Sequence, residues 1–313
     1  MKWVLITGGT GFIGTNLCKS LLNEGKYVIA LDNQITSDPN QVNVFSSDPH
    51  YRYIHHDIIN TLPSELTSSQ IAIETIYHLA CPTGVTNLVP LALEMALTCS
   101  VGTKNVLDLA RLHNADIVYA SSSEVYGNPT IFPQQESYTG NVSSTGIRSP
   151  YEEGKRFSET LINVYAKKYH LRAKIVRIFN TYGPFMSLSD TRVIPKFINQ
   201  IKNQEPITIQ GDGNHTRTFC FVDDLVRGLL LIQKNGKEGE VYNLGSTDEI
   251  TIYELAKKII QFRKRKNKII FLPVFEEDHV RRLPLLDKVY KLGWHTTVNL
   301  DEGLGKTLQW YGL

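Results

Sequence analysis

The string Gly8-Gly9-Thr10-Gly11-Phe12-Ile13-Gly14 constrains the chain more than any other stretch. It follows an apolar run, Trp3 to Thr7, and opens a segment of helical periodicity, Phe12 to Asn23. Gly8, Gly11 and Gly14 are spaced G-x-x-G-x-x-G. Between a strand and a helix, one glycine permits the tight turn and the next lets backbone approach a pyrophosphate. The last allows close helix–strand packing, and the helix N-terminus, with Phe12 and Ile13 in its first turn, stabilises phosphate charge. Glycines so spaced also serve ordinary turns; the strand before them and the helix after them favour a dinucleotide site.

A second apolar run, Tyr27 to Leu31, ends at Asp32, 18 residues after Gly14. A carboxylate there accepts from both ribose hydroxyls and repels a 2′-phosphate, so NAD is expected over NADP, with Asn33 beside it. After a third strand, Tyr51 to His55, come His56-Asp57-Ile58. Asp57 either contacts the adenine or caps a helix. Leu79 and Ala80, at the end of a fourth strand beginning at Thr75, complete the expected cofactor wall.

Further strands are read at Asp116 to Ser121 and Ala173 to Phe179, with helical stretches between most of them. Parallel strands need long crossovers, so the alternation predicts an α/β fold: a Rossmann-type, doubly wound parallel sheet with helices on both faces. After about Asn180 the strands become short and scattered (Ile207 to Ile209, Thr218 to Val222, Val241 to Leu244), between helices at Val193 to Lys202, Leu225 to Lys234 and Ile252 to Arg265. We divide the chain into a cofactor-binding domain, residues 1–180, and a smaller substrate lobe, 181–313, with segments that cross back. A length of 313 residues suits about two domains.

Composition excludes several partners. A net charge of +2 is too small to attract nucleic acid or a membrane by bulk field. No stretch approaches the ~18 apolar residues of a membrane span, and the N-terminal apolar run is too short for a signal peptide. Nine histidines show no metal-ligand spacing, His55-His56 being the nearest to a cluster, so no metal is expected. Cys18, Cys81, Cys99 and Cys220 form no C-x-x-C pair and read as free thiols in a reducing, cytoplasmic setting. The run Arg263-Lys264-Arg265-Lys266 reads as a solvated helix end.

Tyr151-Glu152-Glu153-Gly154-Lys155 opens a long helical stretch and puts Tyr151 and Lys155 on one face. A tyrosine that acts as a base near neutrality must lose about 3 pKa units, or about 4 kcal/mol. An adjacent ammonium and a positive nicotinamide ring supply that stabilisation. Ser121-Ser122-Ser123-Glu124 ends an apolar strand, where ligands bind in such sheets. Hydroxyls there hold a sugar oxygen and the carboxylate exchanges a proton; a turn with a capped helix is the plainer alternative.

At these residues the chain resembles the extended short-chain dehydrogenases/reductases of the NAD-dependent epimerase/dehydratase group. The resemblance runs from Met1 to at least Gly245, and within the group it is strongest to the UDP-glucuronate decarboxylases. It rests on His78-Leu79-Ala80-Cys81-Pro82, Ser122-Ser123-Glu124-Val125-Tyr126-Gly127, Arg148-Ser149-Pro150-Tyr151-Glu152-Glu153-Gly154-Lys155-Arg156, Arg177-Ile178-Phe179-Asn180-Thr181-Tyr182-Gly183-Pro184, and Gly211-Asp212-Gly213 with Thr216-Arg217-Thr218-Phe219. The resemblance implies catalytic roles for Tyr151, Lys155, Ser122, Ser123, Glu124 and Arg282. It implies a nucleotide diphosphate on Asn180 and Arg217, with Arg192 and Val193 on the substrate side, and Arg282 near a sugar carboxylate. Ser123-Glu124 is the decarboxylase pair, where 4,6-dehydratases carry Asp-Glu and most 4-epimerases lack the Glu. A 4-epimerase, a 4,6-dehydratase or a 4-dehydrogenase on the same scaffold is the near alternative, and a non-catalytic NAD-binding regulator the remote one. The resemblance further implies a UDP-linked substrate and a homodimer built on Leu91 to His113 and Tyr151 to Tyr169, through Leu97, Val101, Leu107, Leu161 and Val164. Three positions depart from the group: the loop Thr83 to Asn87, Cys99 in place of an asparagine, and Leu285 in place of an aspartate.

Overall fold

The computed structural model describes residues 1–68, 71–262, 267–273 and 281–313. Six strands lead the main sheet: β1 (Lys2–Thr7), β2 (Tyr27–Asp32), β3 (Tyr51–His55), β4 (Ala72–His78), β5 (Asp116–Ser122) and β6 (Ala173–Ile178). A seventh, Val241–Leu244, lies beside β6, and the order across the sheet is Val241–Leu244, β6, β5, β4, β1, β2, β3. Each neighbouring pair is parallel. This is the predicted Rossmann-type sheet. The chain winds outward from β1 to β3, then returns to β4 on the other side of β1. The carboxyl ends of β1 and β4 therefore flank the switch point, where a crevice opens in folds of this kind.

The period of two in each strand explains the two-faced core. Val4 and Ile6 of β1 with Val28 and Ala30 of β2 bury one face against Leu17 and Leu21 of the helix Phe12–Asn23 and Leu225, Leu229 and Ile232 of the helix Val222–Asn235. Leu5, Ile29 and Leu31 point the other way, onto Val106, Leu107 and Ala110 of the helix Thr103–His113 and Ile162 of the helix Ser149–Tyr169. Strands apolar on both sides are what a fully covered parallel sheet requires.

A third core holds the smaller lobe. Ile194, Phe197 and Ile201 of the helix Val193–Lys202 pack with Ile207, Ile209, Leu255, Ile259, Leu304 and Leu308. Ile207–Gln210 pairs in parallel with Ile269–Leu272, and Thr216–Thr218 antiparallel with Glu249–Thr251.

Two local readings differ. Thr218 to Val222 is not one strand: Thr216–Thr218 and Cys220–Phe221 pair with different partners, and a helix starts at Val222. A short apolar run before a helix has no period that separates the two states. Val241–Leu244, read with the smaller lobe, completes the main sheet beside β6. The run Arg263 to Lys266 lies outside the described residues.

Candidate active site

One cleft of about 1040 Å³ opens at the carboxyl ends of β1, β4 and β5 and is closed by the smaller lobe. Its lining holds Gly8, Gly11, Phe12, Ile13, Gly14, Asp32, Asn33, Asp57, Ile58, Leu79 and Ala80 on the sheet side. Ser122, Ser123, Glu124, Tyr151 and Lys155 stand at its centre, and Asn180, Arg192, Val193, Arg217 and Arg282 on the far wall. The fold thus gathers into one cavity the residues singled out in the sequence, across a separation of more than 270 positions.

The glycine turn forms a cradle. Gly8 donates its N–H to the Leu31 carbonyl at 2.8 Å, and Gly11 to Gly8 at 3.1 Å. A Cβ on Gly14 would stand 2.1 Å from the Gly8 oxygen, and one on Gly9 2.6 Å from the Ala30 Cβ. Gly9, outside the three-glycine spacing, is thus required by close contact with Ala30 of β2 and the Ile6 carbonyl of β1. Gly11 caps the following helix with no side chain, leaving its first amides to the cleft. Asp32 is buried at the end of β2 and accepts from Thr10 N at 3.1 Å, Gln34 N at 2.8 Å and Ser37 Oγ at 3.2 Å. Ser37 gave no signal in the sequence. Asp57 accepts from Ile59 N at 3.0 Å and from Asn33 Nδ2 at 2.8 Å, which fixes both side chains at the cleft wall. No α-helix starts there among the described residues, so Asp57 caps only a local turn.

The switch point is cross-linked by polar groups to which the sequence assigned no role of their own. The Thr7 hydroxyl meets His78 Nδ1 at 2.7 Å and accepts from Ala80 N at 3.3 Å. His78 Nε2 meets the Thr103 hydroxyl at 3.1 Å. Burial, then the Lys155 charge, drives the imidazole down to about 3, so it is neutral and serves structure.

The helix Ser149–Tyr169 carries Tyr151 and Lys155 one turn apart. Lys155 is buried and donates to the Ala120 carbonyl at 2.8 Å. Its Nζ lies 5.9 Å from the centre of the Tyr151 ring. Burial raises the Tyr151 phenol to about 12; the Lys155 charge and a hydrogen bond with Ser122 work against it, while Cys81 and Glu124 add to the rise. Ser122 also accepts from Glu124 N at 3.2 Å and so starts the short turn Ser123–Tyr126.

Behind this centre runs a chain of charges. Glu152 accepts from Arg148 Nε at 3.1 Å, Arg148 Nη2 donates to Glu124 at 2.5 Å, and Arg282 Nη2 lies 3.4 Å from the same carboxylate oxygen. Arg148, known from the sequence only as part of a motif, therefore aims Glu124. Arg282 is 2% exposed and donates to the Gly127 carbonyl at 2.5 Å. Its Nε and Nη2 have no hydrogen-bond acceptor among the described residues. Burial depresses the guanidinium, and Glu124 partly restores it. A buried cation at a cleft wall with donors to spare is prepared for an anion.

A Rossmann sheet, a glycine cradle and a Tyr–Lys pair one helical turn apart define a nicotinamide-dependent enzyme. The sequence model of the NAD dependent epimerase/dehydratase family matches residues 4–245, and the chain belongs to that family. Its cofactor is NAD, which the cradle and the Asp32 carboxylate fit.

UDP-glucuronic acid decarboxylase 1 of Danio rerio is 38% identical over 311 residues, covering 99% of this chain and 72% of the relative. UDP-glucuronic acid decarboxylase 2 of Arabidopsis thaliana is 40% identical over 302 residues, 96% of this chain and 66% of the relative. The chain thus spans about two thirds of the length of these relatives. Among solved structures, the dTDP-glucose 4,6-dehydratase of Streptomyces venezuelae with NAD bound superposes with a TM-score of 0.89 at 27% identity, covering 100% of this chain and 97% of the other.

Proposed function

We propose that this chain is a UDP-glucuronate decarboxylase, giving UDP-xylose through a 4-keto intermediate. The observation that carries this reading is Arg282: a buried guanidinium whose Nε has no acceptor among the described residues and whose Nη2 stands 3.4 Å from Glu124, in the cleft that holds Tyr151. The names of the relatives support it, as does the Ser123-Glu124 pair.

In this mechanism NAD, when bound, supplies a reversible hydride acceptor for the sugar C4. Tyr151 takes the proton from the C4 hydroxyl, which Ser122 positions. Lys155 holds the phenol and the cofactor ribose. Arg282 orients the C6 carboxylate of the substrate. Once C4 is a ketone the sugar is a β-keto acid, and the electrons of the breaking C5–C6 bond flow into an enolate as CO2 leaves. Glu124, aimed by Arg148, exchanges protons at the ring, and Ser123 lies beside it. Tyr151 returns its proton when C4 is reduced again. Asn180 and Arg217 hold the nucleotide diphosphate, with Arg192 and Val193 on the substrate side of the cleft, so residues 1–180 carry the cofactor and the catalytic groups and 181–313 supply most of the sugar-nucleotide wall.

Arg282→Met tests the assignment. A carboxylate left unpaired in a closed site costs about 2–5 kcal/mol. The variant is expected to lose affinity for UDP-glucuronate by that amount, keep its affinity for UDP, and release no CO2. Equal losses for both ligands would make Arg282 a phosphate ligand and leave a 4-epimerase or dehydratase as the better reading.

The same reading makes the protein a cytoplasmic homodimer. Four unbridged cysteines suit a reducing compartment. No helix among the described residues is long and apolar enough to cross a membrane. The dimer face is an apolar stripe on two helical segments. Leu93, Val101 and Leu112 from 92–113 and Phe157 and Val164 from Ser149–Tyr169 are exposed, Val164 at 50%. Leu107, expected on that face, is buried against the chain's own sheet, and Leu161 packs on the same core.

A further inference from the structure

The four cysteines are of two kinds. Cys18 and Cys220 are buried with their sulfurs against backbone oxygens of Gly9 and Phe221, each at 3.6 Å. Cys81 and Cys99 face each other instead, Sγ to Sγ at 3.6 Å. Cys81 lies half-buried just beyond β4 and lines the cleft. Cys99 sits behind it, 1% exposed, in the wide π-type turn Thr98–Gly102 that interrupts the helical stretch 92–113. A Cβ on Gly154 would stand 3.1 Å from the Cys99 Cβ and 3.3 Å from its Sγ. Ser158 donates to the Cys99 carbonyl at 2.6 Å. The pair is thus wedged between the end of β4 and the turn of helix that carries Lys155.

We propose that Cys81 and Cys99 form a two-electron modification site, at which a hydroperoxide entering the cleft converts the pair to a disulfide beside Lys155. The charge distribution makes Cys99 the proton acceptor of the pair. The contact with Cys81, then the Lys155 ammonium, bring the Cys99 thiol down to about 7 against its burial, while Cys81 holds its proton well above the usual thiol range. The proton passes from Cys81 to Cys99 along the contact as Cys81, the sulfur at the cleft, attacks the peroxide. The O–O bond breaks, a sulfenic acid forms on Cys81 and hydroxide or alkoxide leaves, to be protonated to water or alcohol. Cys99 then attacks the sulfenic sulfur, the S–S bond forms and hydroxide leaves; with the two thiol protons the balance is two thiols and one hydroperoxide to one disulfide and two hydroxylic products. Two electrons pass from the sulfurs to the peroxide.

A disulfide bond of about 2.05 Å draws the sulfurs together by roughly 1.5 Å. Leu79 and Ala80 are pulled with Cys81 toward the helix of Lys155, so the oxidised form is expected to bind NAD less tightly and to turn over more slowly.

The test uses the full chain treated with hydrogen peroxide, then unfolded, alkylated and digested. Four cysteines take the label before treatment. After it, only Cys18 and Cys220 are expected to do so, with a linked Cys81–Cys99 peptide that dithiothreitol reverses. In Cys99→Ser the remaining Cys81 has no partner sulfur and is expected to stop at sulfenic or sulfinic acid, with no linked peptide. Should that variant fold poorly, Cys81→Ser is likewise expected to give no linked peptide, with Cys99 left reduced because the cleft-facing sulfur is gone. Four labels after peroxide, a bridge to Cys18 or Cys220, or equally fast bridging in the guanidine-unfolded chain would each overturn the proposal. None of these readouts depends on the sugar, so the decarboxylase assignment stands or falls separately.

Discussion

Tyr151 starts on the wrong side of neutrality. Burial lifts its phenol to about 12, two units above the ordinary value. Two units correspond to about 3 kcal/mol, added to the roughly 4 kcal/mol already needed to ionise a tyrosine near neutrality. Lys155 and Ser122 oppose burial without overcoming it in the protein alone. The sequence-level expectation that the ammonium depresses the phenol is therefore met in sign of interaction but not in net position; the positive charge of bound NAD belongs to the account. Tyr151→Phe removes one hydroxyl from a ring that keeps its packing. It is expected to cut turnover by roughly 10²–10⁴-fold, with unchanged NAD binding and thermal midpoint. Steady-state assays with UDP-glucuronate beside fluorescence titration with NAD measure both, and near-normal turnover would pass the proton to another group.

At the scale of elements, the glycine turn and the helix Phe12–Asn23 act as one piece. A side chain at Gly14 meets backbone, which has no rotamer to yield, at 2.1 Å from the Gly8 oxygen. Gly14→Ala is expected to push the helix off the turn, lowering stability by about 1–3 kcal/mol and reducing NAD affinity severely. Gly25 provides the contrast: its φ is +72°, yet nothing lies within 4 Å of an added Cβ. Gly25→Ala should lower stability by about 1 kcal/mol through backbone strain and leave NAD binding intact. Calorimetric titration with NAD separates the two. Equal loss of affinity in both variants would mean that general destabilisation, not the cradle, is being read.

For the whole molecule, the exposed stripe predicts its own cover. Leu93 and Val101 are eight residues apart on one helical face, and Phe157 and Val164 are seven apart on the neighbouring helix. Exposed apolar residues that align in this way mark association surfaces. Two copies meeting there bury four helices. The protein is expected to sediment and scatter light as a dimer at micromolar concentration, and Val101→Glu with Phe157→Glu to give a folded monomer. A wild-type monomer under those conditions would remove the dimer from the reading.

Local chemistry was enough for the first half of this protein. Glycine spacing, an apolar run ending at Asp32, and a Tyr–Lys pair four residues apart are short-range patterns, and each specifies its own turn, strand end or helix face. They led to the sheet, the cofactor and the residues gathered at the centre of the cleft. Other features exist only between segments distant in sequence. Val241–Leu244 joins the main sheet because β6 offers a free edge, and Gly9 must be glycine because Ala30 packs on it. Arg282 faces Glu124 across 158 positions. Leu107 and Val101 carry equally apolar side chains on one helical stretch, yet one is buried under the sheet and the other exposed to solvent. Apolarity is a property of the residue, whereas the direction it faces is set by the packing of every element around it, and so only the tertiary structure decided those positions.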